Sequence, residues 1–219
     1  MASILCIETA TTNCSVALSV NGSVVAIEED NNKQYSHAER LHIYIKKVLS
    51  KAKIDKSELD AIAVSKGPGS YTGLRIGVSA AKGLCFALDI PLIAIATLQS
   101  LAMQAKVDKG YIVSMLDARR MEVYAAVYSR EGKEMRTTKA EVLTESSYLE
   151  FLEKGHVCFI GNGVEKFETL CVHQNAYFMK EELPSAREMA RLAEIKYKVS
   201  DFEDVAYFEP YYLKDFITN

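Results

Sequence analysis

The segment Lys66-Gly67-Pro68-Gly69-Ser70-Tyr71-Thr72-Gly73-Leu74-Arg75-Ile76-Gly77 restricts this chain more than any other. It turns the backbone sharply between a short apolar strand, Ala61–Val64, and a helix, Gly73–Leu88, so rich in small and apolar residues that no broad solvated face remains. Such a helix has to be covered on two sides. Its own sheet supplies one cover. The spacing of Gly73, Gly77, Ala80, Ala81 and Gly83 lets a second backbone come close on the other, so a protein partner is one reading of this helix. The glycine loop also reads as a phosphate cradle, with amides exposed at a helix N-terminus. It lacks the Lys followed by Ser or Thr of a Walker loop, because Leu74 and Arg75 follow Gly73. In the plainer alternative Pro68 and the glycines only make the turn, Thr72 caps the helix and Arg75 is a surface charge.

Around this segment the pattern is α/β. Ser3–Ile7, Ser15–Val20 and Ser23–Ile27 read as strands, the last two joined by the hairpin dipeptide Asn21-Gly22. A helix follows from Ser36, with Glu39 completing a capping box and Leu41, Ile45, Val48, Leu49 and Ala52 on one face. Pro91–Ala96 is a strand and Thr97–Lys106 a helix. The second half repeats the order: strands at Tyr111–Leu116, Glu122–Ser129 and Thr137–Leu143, then helix Ser146–Leu152, strand Val157–Ile160, helix Val164–Leu170, strand Ala176–Met179 and helix Ala186–Tyr197. Two domains are expected, 1–106 and 107–219, each β-β-β-α-β-α-β-α around a mixed sheet, with a tail able to pack back on the first.

Composition excludes several functions. The apolar fraction of 49% supports packed cores, and no apolar run is long enough to span a bilayer, so a cytoplasmic protein is expected. Five cysteines, odd in number and without a C-x-x-C pair, read as reduced thiols. The net charge of −3 gives no general attraction to a polyanion; RNA binding would need a local basic patch, and none is identifiable in the sequence. His37 and His42 are five apart and His156 and His173 stand alone, so no metal motif forms.

Glu8 and Asp117 end equivalent strands. Carboxylates so placed can hold magnesium, but the further oxygen ligands of a metal site are missing. Glu8 alternatively orients the loop Thr9–Asn13. In the turn Asp117–Tyr124, Arg119 and Arg120 suit a phosphate or a partner carboxylate, with a charged hairpin as the plain alternative. Ser70 has no local base for a nucleophilic role.

Together, Ile4-Leu5-Cys6-Ile7-Glu8-Thr9-Ala10-Thr11, Ser36-His37-Ala38-Glu39-Arg40-Leu41, the glycine loop with Pro91-Leu92-Ile93, Asp117-Ala118-Arg119-Arg120 and Pro210-Tyr211-Tyr212-Leu213 resemble the bacterial TsaB family nearly end to end. The resemblance implies two ribonuclease H-like domains of the actin and sugar-kinase type. It also implies a non-catalytic scaffold for N6-threonylcarbamoylation of tRNA adenosine beside the anticodon, working with a TsaD catalytic subunit and a TsaE ATPase. No stably bound cofactor is expected in the chain itself, with ATP used by the complex and tRNA reached through it. A homodimer is expected in isolation. Matching the TsaD segment that carries two metal-binding histidines puts Thr97 and Leu101 at those positions. The interface implied lies on the helices starting at Ser36 and Gly73, through His37, Leu41, Ile45, Gly73, Gly77, Ala80, Ala81 and Leu84. Glu8 departs from the Asp of many relatives, which leaves a nucleotide role open. An autonomous ATP-dependent phosphotransferase and a peptidase are the alternatives.

Overall fold

The computed structural model describes residues 1–30 and 37–214; the capping box expected at Ser36 lies outside them. The first sheet holds β1 (Ser3–Glu8), β2 (Cys14–Val20), β3 (Ser23–Asp30), β4 (Ala61–Gly67) and β5 (Leu92–Ala96), in the order β3-β2-β1-β4-β5. β1 pairs antiparallel with β2 and parallel with β4, so the sheet is mixed. Between these strands lie α1 (His37–Ala52), a single 3-10 turn at Lys56–Glu58, and α2 (Tyr71–Leu88); α3 (Thr97–Ala102) follows.

Side-chain alternation explains the continuous apolar run of β1. Leu5 and Ile7 point into a core shared with Leu41, Val48, Val78 and Ala81 of α1 and α2. Ile4 and Cys6 point to the opposite face. A strand covered on both faces has no polar register to keep. The Asn21-Gly22 hairpin forms as expected, with both residues at positive φ (53° and 75°).

The second sheet holds β6 (Tyr111–Asp117), β7 (Glu122–Ser129), β8 (Glu134–Val142), β9 (Val157–Gly161) and β10 (Ala176–Lys180), in the order β10-β9-β6-β7-β8. Read from the other edge this is the first sheet again: the third, second, first, fourth and fifth strands of the repeat. Its helices are short: α4 (Leu149–Leu152) and α5 (Val164–Glu168). They cover one face through an aromatic cluster in which Tyr148, Phe159 and Phe167 meet at centroid distances of 4.8–5.6 Å.

α6 (Ala186–Lys198) starts at its expected cap, Ser185, whose hydroxyl accepts from Arg187 N (3.2 Å). Its destination corrects the sequence reading. Ala186, Met189 and Ala193 pack with Ile4, Cys6, Ile93 and Ile95 on the second face of the first sheet. The chain therefore does not divide once at 106/107. One compact unit comprises Met1–Ser100 and Pro184–Tyr212; the other comprises Leu101–Leu183 and the residues from Leu213 on. The second unit keeps the order β-β-β-α-β-α-β and lends its last helix to the first.

Candidate partner-docking site

The glycine loop is filled by its own chain. Ser70, and not Thr72, caps α2: its hydroxyl accepts from Gly73 N (3.3 Å), and Thr72 is exposed. Ser70 N donates to Ala10 O (2.7 Å), and Thr9 Oγ1 donates to Gly73 O (2.8 Å). A Cβ at Gly69 would strike the carbonyl of Ala10; one at Gly73 would strike the carbonyl of Thr9, and one at Gly77 the Thr9 hydroxyl. These glycines are needed so that the β1–β2 loop can lie against the start of α2. The amides of Gly67, Ser70 and Gly73 are committed to Thr97, Ala10 and Ser70, and the β1–β2 loop occupies the space against the start of α2.

The same loop is held from other sides. His37 Nε2 lies 2.7 Å from Thr11 O, and Asn13 Nδ2 donates to Pro184 O (3.0 Å). Burial pushes the His37 imidazole below its ordinary value, with the Thr11 carbonyl opposing. Glu8 is fully buried below the loop, where its Oε1 accepts from Ala10 N and Ser65 Oγ, both at 2.7 Å. Its Oε2 has no hydrogen-bond partner among the described residues. Desolvation raises this carboxyl to about 7 against those hydrogen bonds. Glu8 thus orients the loop.

Six of the interface residues expected from the sequence turn inward: His37, Leu41, Ile45, Gly73, Gly77 and Ala81 are buried within the first unit. Small residues along a helix permit close approach without saying whose backbone approaches, and here it is Thr9. Ala80 and Leu84 are half-buried and do reach the surface, at an open groove of about 590 Å³ between α1 and α2. Ala38 and His42 line it from α1, and Ile76, Ala80, Gly83 and Leu84 line it from α2, with Arg75 and Ser79 adding polar atoms. Ile76, Ala80, Gly83 and Leu84 follow an i, i+4, i+7, i+8 spacing, displaced from the 73, 77, 81 stripe. That periodicity was available in the sequence. Phe86, elsewhere on the exposed surface of α2, is 85% accessible.

Arg75 is held at the groove by a stack. Its guanidinium lies 4.5 Å from the Tyr71 ring centroid, and Tyr71 meets the Tyr212 ring at 4.8 Å. Tyr211 N donates to Lys66 O (2.7 Å), while Lys82 Nζ holds Ala206 O and Phe208 O. Residues 203–212 therefore strap both ends of α2.

In the second unit, Asp117 Oδ1 accepts from Arg119 N (2.6 Å) and Lys166 Nζ (2.8 Å), and Glu122 pairs with Lys214. Arg119 and Arg120 project at the tip of the β6–β7 turn. Thr97 Oγ1 accepts from Gly67 N (3.1 Å), and Leu101 is fully buried. Among the described residues no three His, Cys, Asp or Glu side chains converge on a metal-sized site, and no helix is long and apolar enough to cross a membrane.

Residues 31–216 match the family model described as TsaD, tRNA N6-adenosine threonylcarbamoyltransferase. The tRNA threonylcarbamoyladenosine biosynthesis protein TsaB of Escherichia coli K12 is 31% identical over 97% of this chain and 94% of that protein. The TsaB protein of Haemophilus influenzae is 29% identical over 98% and 94%. The structure of YeaZ from Pseudomonas aeruginosa superposes with a TM-score of 0.84 at 28% identity, covering 97% of this chain and all of that one. The duplicated strand order, the loop packing that the glycines permit and these matches along the whole chain agree: it belongs to the TsaB family of tRNA threonylcarbamoyladenosine biosynthesis proteins.

Proposed function

We propose that, within tRNA threonylcarbamoyladenosine biosynthesis, this chain is a non-catalytic scaffold that docks a TsaD-like catalytic subunit in the α1–α2 groove. A TsaE-like ATPase completes the assembly and ATP is consumed there, in the cytoplasm. One observation carries this reading: the face of α2 that the described residues leave open presents Ile76, Ala80, Gly83 and Leu84 beside Ala38 of α1, an apolar strip on the surface of a charged chain. The packing of Thr9 and Ala10 against the glycine loop favours the scaffold over an autonomous phosphotransferase. Without its partner the same strip pairs two copies of this chain, so the homodimer competes with the heterodimer.

Gly83→Glu tests the groove directly. A Cβ there meets nothing within 4 Å, so the substitution leaves the fold intact and places a carboxylate in the interface. The expected result is an unchanged circular dichroism spectrum and a loss of partner affinity of about a hundredfold, the equivalent of a few kcal/mol for burying an unpaired charge. In reconstitution, omission of the chain should abolish tRNA modification, and the chain alone should modify none. Unchanged affinity in the variant would remove the groove from the interface; modification by the isolated chain would end the scaffold reading.

A further inference from the structure

The β6–β7 turn is closed by hydrogen bonds from Ala118 N to Glu122 O and from Glu122 N to Arg119 O, both 3.1 Å. Arg119 and Arg120, the first two of the three residues it encloses, hold φ of 72° and 50°. This backbone disfavours residues with a Cβ, and Asn and Gly tolerate it best. The chain itself uses that cheaper pair for consecutive left-handed residues in the two-residue Asn21-Gly22 hairpin. Two arginines therefore occupy a position where their backbone preference works against them.

Among the described residues no free carboxylate neutralises them. The two flanking carboxylates are engaged: Asp117 accepts from Lys166 and from the Arg119 amide, and Glu122 pairs with Lys214. Neither guanidinium has an ion-pair or hydrogen-bond partner among the described residues, and both side chains are exposed. The turn gathers four cations, Arg119, Arg120, Lys166 and Lys214, against two carboxylates, on a chain whose net charge is −3. Such a chain has no general pull on a polyanion, so any contact with one has to be local.

We propose that the Arg119-Arg120 turn is an RNA-backbone contact that grips phosphates of the tRNA while it is bound to the assembly. This rests on the scaffold reading above. Adjacent guanidinium forks suit phosphate oxygens, which accept two parallel N–H bonds from each. The contact positions the RNA without reading its bases.

The decisive variant is Arg119→Asn/Arg120→Gly, which installs the chain's own low-strain solution. Its Tm should rise by about 3 °C through relief of the turn. In the complete assembly its affinity for an unmodified tRNA transcript should fall about tenfold at moderate salt. The dependence of log affinity on log salt should become shallower by about 1.5, as for the loss of two phosphate contacts. Arg119→Lys/Arg120→Lys should retain most of the salt dependence. Unchanged tRNA affinity and salt slope in the Asn-Gly variant, with the wild-type assembly binding normally, would overturn this inference alone. Weakened association with the protein partner at unchanged tRNA binding would overturn it in favour of a carboxylate-bearing protein contact. A wild-type assembly that does not bind tRNA would overturn both this inference and the scaffold reading.

Discussion

The two units share one strand order and treat the end of their first strand in opposite ways. In the first, the connection after β1 is pressed inward, with Thr9 and Ala10 against the glycines of α2 and Glu8 sealed beneath. In the second, the connection after β6 projects, and its carboxylate Asp117 is exposed and paired with Lys166. One device is nonetheless common to both. The glycines after the fourth strand of the repeat make room for the first: Gly69 and Gly73 for Ala10 and Thr9, Gly161 and Gly163 for Met115 and Leu116 at the end of β6. Helices differ in proportion. The first unit carries α1 and α2 of 16 and 18 residues, long enough to present a groove beyond what their own core uses; α4 and α5 have 4 and 5 residues and are consumed by the aromatic cluster. The strand order is common to both units, and the open groove between long helices belongs to the first.

The largest effect should come from the shared glycines. Gly73→Ala and Gly161→Ala each drive a methyl group into a backbone carbonyl, and Gly161 also holds φ of 121°. Each should cost about 4 kcal/mol in urea denaturation. A Gly161→Ala protein of normal stability would break the parallel between the units.

Next comes the buried carboxylate. Glu8 keeps its proton up to about pH 7 in the folded state, whereas the unfolded chain releases it near 4.5, so between those values the native state binds more protons. Stability contributed by the protonated carboxyl is therefore full below about 4.5, is lost as pH rises through 7, and is constant beyond. Glu8→Gln, which imitates the protonated form, should equal the wild type at pH 4 and exceed it at pH 8 by on the order of 2–3 kcal/mol. Parallel stability curves for the two proteins from pH 4 to 8 would show that the carboxyl is not the source of the slope.

Gly83→Ala is the smallest. It sits in the exposed middle of α2 with open space around it, so alanine should stabilise the protein by about 0.5–1 kcal/mol. A loss of stability in thermal melts would mean that α2 requires its glycine for the monomer, and would weaken the distinction between buried stripe and free groove.

Most elements were legible in the sequence because they rest on local pattern. The alternation in β1, the Asn21-Gly22 hairpin and the Ser185 cap each announce themselves within a few residues. Ends were less legible: α3 stops at Ala102 and not at Lys106, and α4 is a single turn, since short helices take their limits from what they pack on. The site was legible only in part. The 73, 77, 81 stripe shows that something approaches closely, but Thr9 lies 64 residues from Gly73 and no periodicity links them. The destination of α6 was hidden for the same reason. Its apolar face is plain, whereas the sheet that receives it begins 183 residues earlier.

That return of α6 sets an order of events during synthesis. When a ribosome has added Leu183, every strand of both sheets exists, yet the first sheet still lacks the helix that covers Ile4, Cys6, Ile93 and Ile95. The unit made second has its whole sheet and both covering helices in hand, while the unit begun first waits with one apolar face open until Lys198 emerges. The sheet translated first thus depends for the cover of its second face on a helix translated after every strand of the other sheet.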